Sequence, residues 1–461
     1  MGQEIRAKKG SFGVDTKRKI IVWNIDNLDS ITSQKKIPQT IYFGDRFKLT
    51  QDSNAWSYQK PLEVLGNGSA YSLHLTKLPL VHISIDTSQI NSRKKISGEF
   101  SYFGNGKMVK SYMGVRYRGN ISLTFPKKSF DIEFWTDSVN KTPKDVKFKG
   151  MRSDDDWILD GLYNEPLKLR STIAAKLWTK MYKPHYLDKE PKAKGGFDVG
   201  YVEVFRNNEY YGLYALSESV DRKLLKLRRN NGKSVLGELF KAESYEGAPE
   251  FKKAPEYNNL FPHWGGFRME YPLIDYRAHW DDLSKVVTLT VNGSDTDFSA
   301  QIPSKLYMGN IIDYYLFVNM LRATDNLGKN YYIGRYNTGE PYFFIPWDLD
   351  GVWGIIQRGK RIPTTNDLLS NGLFDRLLEI NPSDFRQKLK SRWKLLRQTH
   401  LANSKLFERI DKIYNKFSDE KIYDREQLIW PNSTSNEDHY LYLEDWLKKR
   451  LIYLDAHFES L

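Results

Sequence analysis

The sequence predicts an α+β fold with a β-rich N-terminal extension (residues 1–78) and a larger domain (79–461). Three observations predict it. Short runs in the first half alternate apolar and polar residues, as in KIIVWNI, LVHISID and KSFDIEFW, and period two marks half-buried strands. Stretches in the last third repeat apolar residues every three or four positions, the spacing of helices. Between these parts, residues 223–305 follow neither period.

The elements follow in chain order. In 1–78, KIIVWNI and QTIYFG read as short strands punctuated by Gly, Asn and Asp. LGNGS at 65–69 has no helix pattern after it, so it reads as a hairpin turn and not as a phosphate loop. Residues 79–222 form a small lobe and hinge. GVRYRGNISLTFPKKSFDIEFW reads as strand, turn and strand, with Phe130, Ile132 and Phe134 on one face. Period two extended backwards puts Lys128 on that apolar face and Lys127 on the wetter one. A lysine aimed at an apolar face needs an anionic partner or a stem that reaches out to water. NEPLKLRSTIAAKLWTKM reads as a helix with Pro166 in its first turn and a Leu169, Ile173, Leu177 stripe. GYVEVFRNNEYYGLYALSESVDRKLL reads as strand, Asn-Asn turn, strand and a helix start near Ser219–Asp221.

Residues 223–305, rich in Pro, Asn, Gly and aromatics, read as an insertion that serves as a substrate lid. Residues 306–461 read as a helical lobe that carries the catalytic segment. GNIIDYYLFVNMLRA is a largely buried helix, and Leu443, Leu447, Leu451, Leu454 and Phe458 make a packing stripe near the C-terminus.

Composition narrows the function classes. Seventy Lys and Arg against 57 Asp and Glu leave the 461-residue chain at +13. That charge favours phosphate-rich or acidic partners. The basic residues are spread along the chain, which argues against a nucleic-acid-binding tract. With no cysteine, thiolate chemistry, disulfides and Cys-ligated zinc are excluded. No apolar run reaches the ~18–20 residues of a membrane span. The opening MGQEIRAKKGSFGVD lacks the apolar core of a signal peptide. It implies a cytoplasmic chain or one from which a leader has been processed. MGQEIR also lacks the Ser or Thr of a myristoylation pattern.

The chemistry gathers in RATDNLGKNYYIGRYNTGEPYFFIPWDLDGVWG, from Arg322 to Gly354. A buried helix ends, Asp325 follows, and Asn330 lies five residues on. NYYIGRY and PYFFIPW form a hairpin whose return strand ends at Asp348, with Asp350 just beyond. The bland reading is turn and cap chemistry. The sharper reading is a phosphoryl-transfer site. An Asp followed after five residues by an Asn matches the protein-kinase catalytic loop, where the Asp acts as base and the Asn holds magnesium. A hairpin then brings a second metal-binding Asp back beside the first. Magnesium takes hard oxygen ligands and keeps several waters, so Asn330 and Asp348, completed by phosphates, suffice. Asp350 is the alternative or second ligand. The His-Arg that precedes the kinase Asp is absent, as is the Phe of Asp-Phe-Gly.

YRGNISLTFPKKSFDIEF, YVEVFRNNEYYGLYALSESVDRKLL, NLGKNYYIGRY, IPWDLDGVWG and YLEDWLKKRLIYLD together resemble the CotH family of spore-coat-type atypical kinases, over about residues 79–461. The resemblance implies a divergent protein-kinase-like, two-lobed fold. It also implies ATP with Mg²⁺ or Mn²⁺, phosphoryl transfer to Ser/Thr hydroxyls of a protein substrate, and a link to coat, surface or secreted proteins. Carried over by position, Asp325 is the catalytic Asp, and Asn330, Asp348 and Asp350 are the metal ligands. Lys128 is the phosphate lysine with Arg118 beside it, and Glu218 sits at a hinge that meets adenine through backbone groups. Ile121 stands where the family has Ser, and Glu165 where it has Asp. Two other classes stay open. One is a carbohydrate-active enzyme or lectin, drawing on 12 Trp, 29 Tyr and paired carboxylates. The other is a catalytically silent kinase-like scaffold. Nucleotide-dependent stabilisation separates the first of these from a kinase.

Overall fold

The computed structural model describes residues 4–32, 38–50, 56–231, 234–258, 260–274, 279–433 and 437–461. Met1–Gln3 of the MGQEIR reading lie outside them. The chain forms two compact units and crosses between them five times. The first holds Met1–Leu167, Val199–Glu218 and Asp411–Asn436, and the second holds Lys168–Asp198, Ser219–Ile410 and Glu437–Leu461.

The first unit opens with strands β1 (Glu4–Arg6), β2 (Phe12–Asp15), β3 (Ile20–Asn24), β4 (Thr40–Phe43), β5 (Asp45–Leu49), β6 (Leu62–Gly66) and β7 (Ser69–Thr76). They make one sheet in the order β1-β4-β5-β6-β7-β3-β2. The LGNGS stretch is the β6–β7 hairpin turn, with Asn67 and Gly68 at φ 50° and 70°, the positive φ values that a two-residue hairpin favours. β3 is buried along its whole length because both its faces are covered. Ile21 and Trp23 join Ile41, Phe43 and Leu73 on one side, while Ile20 and Val22 meet Leu80, Phe205 and Tyr210 on the other. A Cβ on Gly13 of β2 would lie 2.4 Å from the Phe205 ring, so only glycine allows that approach. The N-terminal segment thus belongs to the first unit.

The rest of the unit is built on β8 (Leu80–Ile85), β9 (Ile96–Gly104), β10 (Lys107–Arg118), β11 (Ser129–Trp135), β14 (Asp156–Asp160), β15 (Val199–Arg206) and β16 (Glu209–Glu218), with the short pair β12 (Val146–Lys147) and β13 (Ser153–Asp154) between them. The seven longer strands close into a barrel in the order β10-β11-β14-β16-β15-β8-β9. The barrel differs from the kinase-like small lobe expected from sequence, because the parallel pairing of β8 with β15 and the β9–β10 hairpin join the two ends of the sheet. Closure removes exposed strand edges. Phe130, Ile132, Phe134, Val81, Met113, Trp157 and Leu216 fill the interior. Asp131 and Glu133, on alternate positions of β11, face outward to Lys95 at 3.4 and 3.1 Å.

The helix Ile422–Ile429 lies against β16 and puts two adjacent charges into the barrel wall. Arg425 pairs with Glu203 at 2.7 Å, both side chains fully buried, and the Tyr210 hydroxyl donates to Glu203 at 2.7 Å. Burial pushes the Glu203 carboxyl up, but Arg425 and Tyr210 hold it below its ordinary range. Glu426 pairs with Lys127 at 2.5 Å. Gly212 has φ +100°, and a Cβ there would lie 2.3 Å from Glu426 Oε2, so this pair also depends on a glycine.

The second unit holds a five-stranded sheet of β17 (Glu238–Ala242), β18 (His263–Trp264), β19 (Phe267–Tyr271), β20 (Tyr331–Arg335) and β21 (Tyr342–Pro346), in the order β18-β19-β17-β20-β21. A further short pair joins β22 (Ile355–Ile356) to β23 (Lys360–Arg361). The described residues of 223–305 are therefore not irregular throughout. They supply β17, flanked by neighbours on both sides, and the helices Asp281–Asn292 and Asp295–Lys305. The helix Met308–Leu321 is buried from Asn310 to Leu321 and packs on β21. Leu443, Leu447, Leu451, Leu454 and Phe458 are buried along the helix Glu437–Glu459. The helix expected to begin near Pro166 begins at Arg170. Lys168 has φ 57°, a left-handed conformation that a helix cannot contain. The whole is a mixed α/β protein with large sheets.

Candidate active site

The second unit brings together the residues of the Arg322–Gly354 stretch. Its anchor is the end of the helix Met308–Leu321, where Arg322 adopts φ 52°. The Arg322 guanidinium grips Asp367 at 2.7–3.1 Å. The buried Arg450 donates to the Asp367 carbonyl at 2.6 Å and, through two nitrogens, to the Asn319 carbonyl at 3.0 and 2.8 Å. Burial pushes the Asp367 carboxyl up, yet the two arginines hold it below its usual range. Charge-assisted bonds of this kind fix the helix end.

Asp325 lies next, in the 3₁₀ turn Thr324–Leu327. Three donors surround its carboxylate. The Tyr245 hydroxyl donates at 3.2 Å, the Lys329 ammonium lies at 3.2 Å, and Asn330 Nδ2 donates at 3.4 Å. Burial and the charge of Asp325 push the Tyr245 hydroxyl well up, so it stays a donor. Asn326, 2% exposed, ties the turn to both strands of the hairpin. Its Nδ2 donates to the Asn330 carbonyl at 2.6 Å and to the Trp347 carbonyl at 2.9 Å. The Trp347 N–H donates to the Asn330 carbonyl at 2.9 Å. Asp348 is therefore one residue from a direct backbone bond to Asn330, as the hairpin argument predicts.

Asn330 and Asp348 have φ 58° and 56°. Asn and Asp are the non-glycine residues that best tolerate this region, and such conformations cluster at functional sites. Asp348 is exposed and Asp350 half-buried. The donor set suits a hard divalent cation. With Nδ2 committed to Asp325, Asn330 keeps its Oδ1 for a metal, and Asp348 and Asp350 add carboxylates. The three aspartates do not converge as a ready-made cage. Among the described residues, the one group of three acids within 4.8 Å is Asp145, Asp154 and Asp155 in the first unit. There Asp154 pairs with Arg152 at 2.6 Å and accepts from the Asp155 N–H at 2.8 Å, a structural arrangement.

The expected nucleotide contacts Arg118, Lys128 and Glu218 all belong to the first unit. Arg118 ends β10 opposite Ser129 of β11. Lys128 is half-buried, and its Nζ donates to the Leu123 carbonyl at 2.5 Å. The facing of the two lysines is the reverse of the expected one. Lys127 is the buried residue, 1% exposed. Its Nζ donates to Glu426 and to the Leu213 carbonyl, each at 2.5 Å, and sits 4.6 Å from the centre of the Tyr214 ring. The reason is local: the strand begins at Ser129, so period two does not extend back to the lysines. Burial pushes the Lys127 ammonium down, against the pull of Glu426. Glu218 is fully buried at the end of β16 and accepts the Arg152 N–H at 2.6 Å, so its side chain is structural. Glu165 accepts the Leu167 N–H at 2.9 Å.

Sequence reading missed Tyr245, Lys329 and Asn326. Lys329 had a signal, its position four residues after Asp325. Tyr245 had none, because 80 residues separate it from Asp325.

A family model described as CotH kinase protein matches residues 115–454. Comparison with curated proteins gives no match.

Proposed function

The chain belongs to the CotH kinase protein family, and on that premise we propose that it is a metal-dependent kinase. It transfers the γ-phosphoryl group of ATP to Ser or Thr hydroxyls of proteins, coat or surface proteins among them. The observation that carries this reading is the Asp325 carboxylate held by Tyr245, Lys329 and Asn330 at the mouth of the hairpin that ends in Asp348.

Asp325 orients the acceptor hydroxyl and takes its proton. The bond from the acceptor oxygen to the γ-phosphorus forms as the bond from that phosphorus to the β,γ-bridging oxygen breaks, and ADP leaves. Lys329 and Tyr245 fix the carboxylate, so little reorganisation accompanies the step. A divalent cation supplies neutralisation of the phosphate charge, and Asn330, Asp348 and Asp350 are the residues that would hold it. Lys128 and Arg118 are the proposed phosphate contacts, and Glu218 the proposed adenine contact through its backbone. Each is tested by the nucleotide affinity of its variant.

The test is incubation with γ- or α-labelled ATP and Mg²⁺ or Mn²⁺, followed by mass spectrometry of the protein and of candidate acceptors. Label from the γ position alone, on Ser or Thr, is the expected result. Label from the α position would replace phosphoryl transfer with nucleotidyl transfer. Absence of both with bound ATP would leave a silent scaffold.

A further inference from the structure

A second charged feature lies in the same unit, on helices that carry none of the residues above. The helices Arg170–Met181, Phe385–Gln398 and Asn403–Asp419 contribute Lys180, Arg392, Lys405 and Arg409, joined by Lys183 and His400 from the adjoining loops. The elements are stitched together by cations. Arg392 donates to the Met181 carbonyl at 2.8 Å, Arg409 to the His400 carbonyl at 2.9 Å, and Lys183 to the Thr179 carbonyl at 2.7 Å. The acids beside them are few. Asp313 is consumed by Arg392 at 2.6 Å, and the Glu408 carboxylate partly offsets the burial of Arg409. Lys180, Lys183, Lys405 and Arg409 form no ion pair among the described residues.

This arrangement works against the fold. After burial, the groups that push the Lys180 ammonium down are all cations: Arg409, Lys405 and Lys183. His400 is pushed down by burial and then by Arg409, Lys180, Lys405 and Arg392. Lys405 also lies in the first turn of its helix, the end where the backbone dipole repels a positive charge. Mutual repulsion at the unfavourable end of a helix is stabilised when an anion binds. A cavity of about 510 Å³ continues from Arg392 and is lined by Lys183, Lys388, Tyr307, Gln387, Ser391, the half-exposed Leu395 and Asp313, whose carboxylate Arg392 neutralises. It offers cations, hydroxyls, an amide and apolar surface together.

We propose that this cation cluster and its cavity dock a phosphorylated segment of a protein substrate. Phosphate is the dianion that several convergent cations recognise best, and a polypeptide fits a groove that mixes charge with Tyr307 and Leu395. The identity of the segment rests on the proposed kinase reading, because the proposed reaction makes phosphoserine and phosphothreonine. A segment already phosphorylated would then hold its protein while further hydroxyls are modified.

The test is binding without ATP, so it is independent of catalysis. A fluorescein-labelled Gly/Ala peptide with three phosphoserines is titrated by fluorescence anisotropy beside its Ser and Glu twins. The phosphopeptide should bind at least about tenfold more tightly than either twin and weaken as NaCl rises from about 50 to about 500 mM. K405E/R409E and, separately, K180E/K183E should each lose about tenfold or more in affinity. K448E/K449E, on an exposed face of another helix, should bind as the parent does. Labelling of an unphosphorylated acceptor should be unchanged in both charge-reversed variants. Equal binding of a twin, unchanged affinity in both folded charge-reversed proteins, or tighter binding of single-stranded RNA or anionic vesicles than of the phosphopeptide would each overturn the proposal. Loss of γ-label transfer with phosphopeptide binding intact would remove the kinase reading alone.

Discussion

Lys127→Met distinguishes a structural lysine from a phosphate-binding one. The wild-type Nζ is fully enclosed and satisfies both Glu426 Oε1 and the Leu213 carbonyl at 2.5 Å. Methionine keeps the stem but removes the charge. Glu426 then keeps its bond from the Leu213 N–H at 2.9 Å but loses the buried ammonium it is paired with. Removing one partner of a buried pair costs about 3–5 kcal/mol. For a unit of this size, each kcal/mol moves the melting temperature by about 2–4 °C, so the expected drop is about 6–20 °C. Adding Glu426→Gln removes the stranded charge, and the double variant should recover at least about 2 kcal/mol of the loss. Lys128→Met, whose ammonium meets one carbonyl from a half-buried position, should cost less than about 1 kcal/mol. Urea titrations and thermal melts of the four proteins, followed by tryptophan fluorescence and far-ultraviolet circular dichroism, measure all these values. A Lys127→Met protein within about 1 kcal/mol of the parent, or a double variant no more stable than the single one, would refute the reasoning.

The other expectations concern the hairpin and one pH response. Asp325→Asn should lower phosphoryl transfer by on the order of 10²-fold or more, with nucleotide affinity and melting temperature nearly unchanged; near-normal turnover in the folded variant removes Asp325 as the base. Asp348→Asn, which tolerates the left-handed backbone at φ 56°, should abolish metal-dependent ATP stabilisation while the fold persists; if it binds Mg-ATP as the parent does, the ligand role moves to Asp350. Glu238 accepts from Arg335 and Tyr342 at 2.7 and 2.5 Å, and its burial pushes the carboxyl up from 4.5 to about 7, against the pull of Arg335. Its folded value lies above the unfolded one, so its contribution to stability is complete below about pH 4.5 and lost as pH rises through about 7. Glu238→Gln should flatten that part of the stability profile, a difference on the order of 3 kcal/mol; parallel profiles for the two proteins would exclude it.

The hairpin was legible because its determinants are local. NYYIGRY and PYFFIPW are short β-rich runs around a turn, and the pairing of Tyr331 with Pro346 and of Arg335 with Tyr342 places both ends as the pattern requires. The stripe of the C-terminal helix was legible for the same reason. Barrel closure was not, since the pairing of Glu203 with Leu80 joins segments far apart in the chain and leaves no mark in either one. β17 was missed because ELFKA is short and its backbone is paired on both sides, so it carries no alternation. The facing of the two lysines was misread because a strand period was extended past the first residue of the strand, Ser129. The grip on Asp325 was half legible: Lys329 through its spacing, Tyr245 only through the fold.

The helix Ile422–Ile429 also bears on the order in which the protein is made. Arg425 and Glu426 supply the counter-charges for Glu203 and Lys127, yet they leave the ribosome more than 200 residues after Glu203. Until they arrive, the barrel wall holds one carboxylate and one ammonium that it cannot bury without a penalty. Glu203 and Lys127 therefore precede their counter-charges by more than 200 residues of synthesis. A product that ends before Asp411 would lack both counter-charges and bury Glu203 and Lys127 only at that cost. The buried pairs thus make the stability of the barrel conditional on residues translated more than 200 positions after Glu203.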